Sequence, residues 1–149
     1  MAQAFVLDAR KVRIWLGATI AAPSTLLCAL ITKGFNQSKQ SNTFVVPDCA
    51  DPTIVAPVKR AMLSKDANIA GAGSYEPDKR GTIQTLFDAS VSSSVSFELP
   101  NGEAPAVNSG YYTGKFFLTT WNITAEEGNL VQAEMTFEAD GPWSWVAVP

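Results

Sequence analysis

The chain contains no histidine. That absence removes the Ser-His-Asp and Cys-His arrangements, and imidazole is lost both as a general base and as a metal ligand. Cysteine is nearly absent too, with only Cys28 and Cys49. Two thiols cannot complete a four-cysteine zinc site, and neither sits in a C-x-x-C pair. Free thiols in a reducing cytosol are expected rather than a disulfide. Charged residues make up 17% of the chain, with a net charge of -3. Apart from Arg10, Lys11 and Arg13 the basic side chains are scattered, so the clustered cations that grip phosphate are missing. No catalytic, cofactor-binding or metal-binding residue is expected, no cofactor is implied, and the chain reads as a non-enzyme.

Long apolar runs are also scarce. The one exception is Ile14 to Thr32, uncharged throughout and preceded by basic residues, which has the length of a membrane span. Gly17 and Pro23 interrupt it, and Ala21-Ala22-Pro23-Ser24 has the composition of a turn. Two short strands separated by a turn are expected, without membrane insertion.

What remains is a sequence of 149 residues that is 46% hydrophobic. That suffices for one domain, residues 1–149, with its own core. Most segments alternate with period two. Val12, Ile14 and Leu16 form a half-buried strand, and Thr25 to Lys33 is a more continuous apolar run. Asn68 to Ser74 reads as a strand whose small residues permit close backbone approach. Val91, Val95, Phe97 and Leu99 share one strand face. Phe117, Thr119, Trp121 and Ile123 share another. Val131, Ala133, Met135 and Phe137 point inward from a third, opposite Gln132, Glu134, Thr136 and Glu138. Glu126 to Asn129 is the hairpin turn between those last two strands, and Asp140-Gly141-Pro142 turns the chain into a final strand, Trp143 to Val148. Pro100 to Ser109 is a loop with an Asn101-Gly102 turn signal. Ile83, Leu86 and Phe87 give Thr82 to Ala89 a helical stripe too short to stand alone. Val58 to Ser64 has the composition of one or two helical turns. The class is mainly β: a sandwich or barrel of about seven strands, one short flanking helix and a long inter-strand loop.

The segment Gly34 to Pro52 does not fit a self-sufficient core. From Gln37 to Phe44 neither strand face is apolar, so burial cannot hold its register. The strand needs a neighbour, which another copy of the chain could supply. It runs into Val45 to Pro52, with two prolines and two carboxylates, too Pro-rich for a central strand.

Other residues invite functional readings that the pattern does not favour. Glu126 and Glu127 resemble a glycosidase pair, but neighbours in a tight turn do not converge on one bond. Gly71-Ala72-Gly73 lacks the third glycine of a nucleotide loop. Trp15, Trp121, Trp143 and Trp145 could form a sugar-stacking platform, although burial in a core or subunit interface suits tryptophan better. Asp48 and Asp51 fit turn-capping roles better than a cation site.

Three segments, in order, resemble the major tail tube proteins of long non-contractile tailed phages (siphophages). They are SNTFVVPDCADP (Ser41 to Pro52), ANIAGAGSYEPD (Ala67 to Asp78) and the closing hairpin GYYTGKFFLTTWNITAEEGNLVQAEMTFEADGPWSW (Gly110 to Trp145). VAPVKRAMLSK departs from the family pattern. The resemblance implies a β-sandwich whose copies form hexameric rings that stack into a tube, the conduit for genome delivery. It implies a location in the virion tail, with the host cytoplasm as the site of assembly. The implied partners are further copies of the chain, a tape measure protein, and tail terminator and tail tip proteins. DNA would pass transiently without specific binding. The family's contact loop falls here on Asn42, Thr43, Phe44, Val45, Val46, Pro47, Asp48, Asp51 and Pro52. Glu134 and Glu138 are the candidate lumen-facing residues, against the competing reading of an outer solvated face. A secreted carbohydrate-binding sandwich and the tube of a contractile phage-like machine are the alternatives.

Overall fold

The computed structural model describes residues 6–21, 23–100 and 109–148. The expected loop after Pro100 lies almost wholly outside them. Seven strands form one sheet: β1 (Arg13–Leu16), β2 (Thr25–Leu27), β3 (Leu30–Val45), β4 (Val58–Ser74), β5 (Ser93–Leu99), β6 (Gly110–Thr124) and β7 (Gln132–Ala147). One helix, α1 (Arg80–Asp88), follows a 3-10 turn at Pro77–Lys79. The sheet order is β2-β1-β5-β6-β7-β4-β3. The chain divides into two compact units, Met1–Asn36 with Asn68–Pro149, and Gln37–Ala67.

In the first unit the sheet curls over its own core. Ile14, Leu27, Leu30, Ile69, Val95, Phe97, Phe116, Leu118, Met135 and Phe137 are buried together, so every strand contributes to one cluster. α1 adds buried Ile83 and half-buried Leu86, and a nine-residue helix of this kind is stable only because it packs on the sheet. Phe87, the third residue of the expected stripe, is exposed. β1 and β2 form the expected hairpin in place of a membrane span, with Ile14 opposite Leu27. No helix among the described residues is long and apolar enough to cross a membrane.

The small residues of β4 are used as their composition suggests. A Cβ added at Gly73 would lie 2.2 Å from the Ala29 carbonyl oxygen. That oxygen accepts from the Ser74 amide at 3.1 Å, while the Ala29 amide donates to the Glu76 carboxylate. The β2–β3 turn is thereby fastened against the end of β4.

Five expectations are corrected. Val58 to Ser64 is the first part of β4, not helix. In β6 the buried residues are Phe116 and Leu118, not Phe117 and Thr119. A register shift between Leu118 and Thr120 then reverses the phase, so Trp121 returns to the core side while Ile123 stays exposed. Val91 precedes β5 and is exposed, and Val131 precedes β7 and is 37% exposed. Asp140 to Pro142 do not separate two strands. Ala139 pairs with Phe116 and Trp143 with Gly114, so the three residues are a bulge within β7, with Gly141 at φ +90°.

Candidate assembly surface

The second unit, Gln37–Ala67, is made of the later part of β3, the connection 46–57 and the earlier part of β4. β3 and β4 are neighbours in the sheet, so the polar strand has one partner within its own chain. β3 is also the last strand in the order, which leaves its far edge at the sheet boundary.

Nearly every residue of this unit is exposed; only Ala67 is buried and Ala56 half-buried. Yet Phe44, Val45, Val46, Ile54, Val55, Val58, Met62 and Leu63 are all here, between 47% and 93% exposed. Eight large apolar side chains in water on a segment with no core of its own make it the candidate interaction surface. Every expected contact-loop residue lies within it, but Asn42 to Val45 are the end of strand β3 and only Val46 to Pro52 are loop. The contact loop expected from the sequence ends at Pro52; exposed Val58, Met62 and Leu63 lie beyond it, on a segment whose composition suggests a helix.

Local hydrogen bonds order the connection. The Asp48 carboxylate accepts from the amides of Ala50 and Asp51 at 2.7 and 3.3 Å. The Asp51 carboxylate accepts from the Thr53 hydroxyl at 2.6 Å and the Thr53 amide at 3.1 Å. Those bonds, the hydroxyl first, hold the Asp51 carboxyl below the usual carboxylate range. Both aspartates are turn-capping groups, as their Pro-rich setting suggested. Cys28 and Cys49 are free, exposed thiols. Among the described residues no group of three or more acidic or cysteine side chains could hold a metal ion.

Glu134 and Glu138 are exposed on β7. Glu134 pairs with Ala72 on β4 and Asn122 on β6, and Glu138 with Asn68 and Phe117. The other pairs on this face set Gln132 against Ser74 and Thr124, and Thr136 against Ala70 and Thr120. At these paired positions β4, β7 and β6 carry two carboxylates, small or polar side chains and the aromatic Phe117; exposed Lys115 lies two residues along β6 from Phe117.

The four tryptophans do not form one platform. Trp15 donates its indole N–H to Glu98 at 3.2 Å. Trp121 packs on the core with its indole nitrogen buried and unpartnered. Trp143 and Trp145 meet Phe35 and Tyr112 edge-on, at 6.4 and 4.9 Å between ring centres.

No protein-family model matches this chain, and neither does any curated protein. Solved structures do match. A chain from the tail of an empty gene transfer agent particle, determined by helical refinement with C6 symmetry, is similar with a TM-score of 0.70 at 16% identity, over 95% of this chain and 100% of that one. A chain of the SPP1 tail tube gives 0.65 at 9% identity, over 96% and 80%. A chain of the sheath–tube complex of PVC, an extracellular contractile injection system in its extended state, gives 0.63 at 12%, over 97% and 93%. The protein has the tail-tube fold, a fold found in phage-like tails and in a contractile injection system alike.

Proposed function

We propose that this protein is a structural subunit of a tail tube, without enzymatic activity, whose copies form hexameric rings that stack into a conduit for genome delivery. The observation that carries the reading is the Gln37–Ala67 unit: on a tail-tube fold, eight large apolar side chains stand in water and need a partner. Modest contacts of this kind become strong when repeated around a ring and along a stack. The C6 symmetry of the gene transfer agent tail supports a sixfold ring. The Asn42–Pro52 loop would touch neighbouring subunits or rings. The far edge of β3 would pair with another copy, closing an inner barrel and removing an exposed edge.

The mechanism is physical. A conduit for DNA must not hold it, because each phosphate caught by a cation adds a salt-dependent contact. The paired positions around Glu134 and Glu138 carry no cation, which suits a lumen, where carboxylates repel phosphate over about 8 Å at physiological salt. Further partners would be a tape measure protein, a terminator and tail tip proteins, in the tail of a virion assembled in host cytoplasm. A terminating cap with the same fold, from the anti-feeding prophage, supports the terminator among them.

A siphophage-type tube is the first reading. The likeness to the PVC sheath–tube complex favours a second, the tube of a contractile machine, which would need an outer surface matched to a sheath. Negative-stain electron microscopy of the purified protein at high concentration tests the common core of both. Rings or tubes are expected, and a monodisperse monomer at every concentration refutes it. Co-purification with a sheath protein separates the second reading from the first.

A further inference from the structure

Two exposed segments of this chain are complementary in both apolarity and charge. At the start of β4, Val58, Arg60 and Met62 share one strand face and Lys59 and Leu63 the other; all five are exposed, the three apolar ones by more than half. At the β6–β7 turn, Ile123, Leu130 and Val131 are exposed at 48%, 75% and 37% and flank Glu126 and Glu127. The turn itself is well formed, with the Asn129 amide donating to the Glu126 carbonyl at 3.1 Å and Gly128 at φ +90°. None of the four charged side chains makes an ion pair among the described residues. Each segment carries two like charges and three exposed aliphatic or thioether side chains, Arg60 sharing its strand face with Val58 and Met62, and the charges of the two segments are of opposite sign.

We infer that Val58–Leu63 of one copy docks on the Ile123–Val131 turn of the next. The inference rests on the tube reading, since its occupant is a second copy. The two surfaces are different, so the contact is head-to-tail, and such contacts propagate into closed rings or open stacks rather than ending at a dimer. Val58 and Met62 would supply burial on the face that carries Arg60, and attraction of Arg60, with Lys59 on the opposite face of the same strand, to Glu126 and Glu127 would set register and exclude wrong partners. Neither role follows from the Asn42–Pro52 loop, whose carboxylates Asp48 and Asp51 would repel an acidic turn.

Charge swaps test it. Lys59→Glu/Arg60→Glu and Glu126→Lys/Glu127→Lys should each fold, by circular dichroism, and each raise the critical concentration for assembly about tenfold or more. Mixing the two variants should restore assembly, because the acidic strand of one meets the basic turn of the other and the reverse pair matches as well. The fourfold variant should also assemble. If the parent makes tubes and the swapped variants assemble equally well, the pairing is overturned while the tube reading stands. If both variants are defective and neither the mixture nor the fourfold variant recovers, the pairing is likewise overturned. A parent that stays monomeric overturns both.

Discussion

The ring of Phe35 lies flat on that of Tyr112, with centres 4.6 Å apart and planes 9° from parallel. Phe35 is on β3 and Tyr112 on β6, three places apart in a single sheet. Two strands so far apart can touch only if the sheet folds back on itself. Lys33, also on β3, donates its ammonium to the Val12 carbonyl at 2.5 Å, just before β1. The two ends of the sheet thus lie over a shared interior, which is how one sheet gives a sandwich-like core. Phe35→Ala should cost about 2–4 kcal/mol, since the ring is half-buried and also touches Phe97 and Trp143. Urea denaturation measures it; a loss under 0.5 kcal/mol would mean the stack does not hold the fold closed.

Gly73 and Gly71 should differ in their tolerance of a methyl group. At Gly73 the added Cβ meets backbone, the Ala29 carbonyl oxygen at 2.2 Å. At Gly71 it meets the end of the Leu30 side chain at 2.8 Å, which can move. Gly73→Ala is expected to cost about 3 kcal/mol or more, by pushing the β2–β3 turn off β4. Gly71→Ala should cost about 1 kcal/mol. Equal losses in thermal melts would show that the turn is not fastened there.

Much of this architecture was legible in the sequence, and the failures share a cause. Ala133, Met135 and Phe137 alternate cleanly because β7 buries one face and wets the other. Val58 to Ser64 are exposed on both faces. With no buried side, selection for a core leaves no period of two, and the residual spacing imitates a helix. In β6 the alternation is real but interrupted. The shift between Leu118 and Thr120 changes its phase, and a single period carried through Phe117 to Ile123 runs out of step with the core. The candidate surface was half legible: a polar strand and a Pro-rich loop stood out from the sequence, whereas the exposed apolar residues of β4 were hidden by the same lack of period.

The Asp51 carboxyl sits below the ordinary carboxylate range because Thr53 donates to it from its hydroxyl and its amide. A lowered folded-state pKa means the stabilisation is complete above the ordinary range and is lost as pH falls through the lowered value. Order in the 46–57 connection should therefore survive at pH 5 and fail only in stronger acid. Thr53→Val removes the hydroxyl donor, so the Asp51 pKa should rise toward the ordinary range, read by NMR titration of its side chain. An unchanged titration would place the cause elsewhere.

The face bearing Glu134 and Glu138 gives a test of where the lumen lies. Glu134→Lys with Glu138→Lys leaves the buried face of β7 untouched, so folding and tube formation should be retained. Inside a lumen, each new cation would hold phosphate and add about 0.9 to the log–log salt slope of DNA retention. DNA ejection from such particles should slow at low salt and recover as salt rises. Normal ejection kinetics at every salt concentration would move these residues to an outer face.

Removal of the Asn42–Pro52 loop separates folding from assembly. None of its residues is buried, Asn42 to Val45 are only the end of β3, and the Asp48 and Asp51 carboxylates accept from amides and a hydroxyl within three residues. Replacing it with a short Gly-Ser link should therefore change stability by only about 1 kcal/mol, leaving Tm within a few degrees. The same change removes Phe44, Val45 and Val46 from the exposed apolar surface. Because assembly multiplies a weak contact over many copies, losing part of it should abolish polymerisation rather than weaken it in proportion. The expected product is a folded monomer by sedimentation, and normal tubes by electron microscopy would show that this loop is not a docking element.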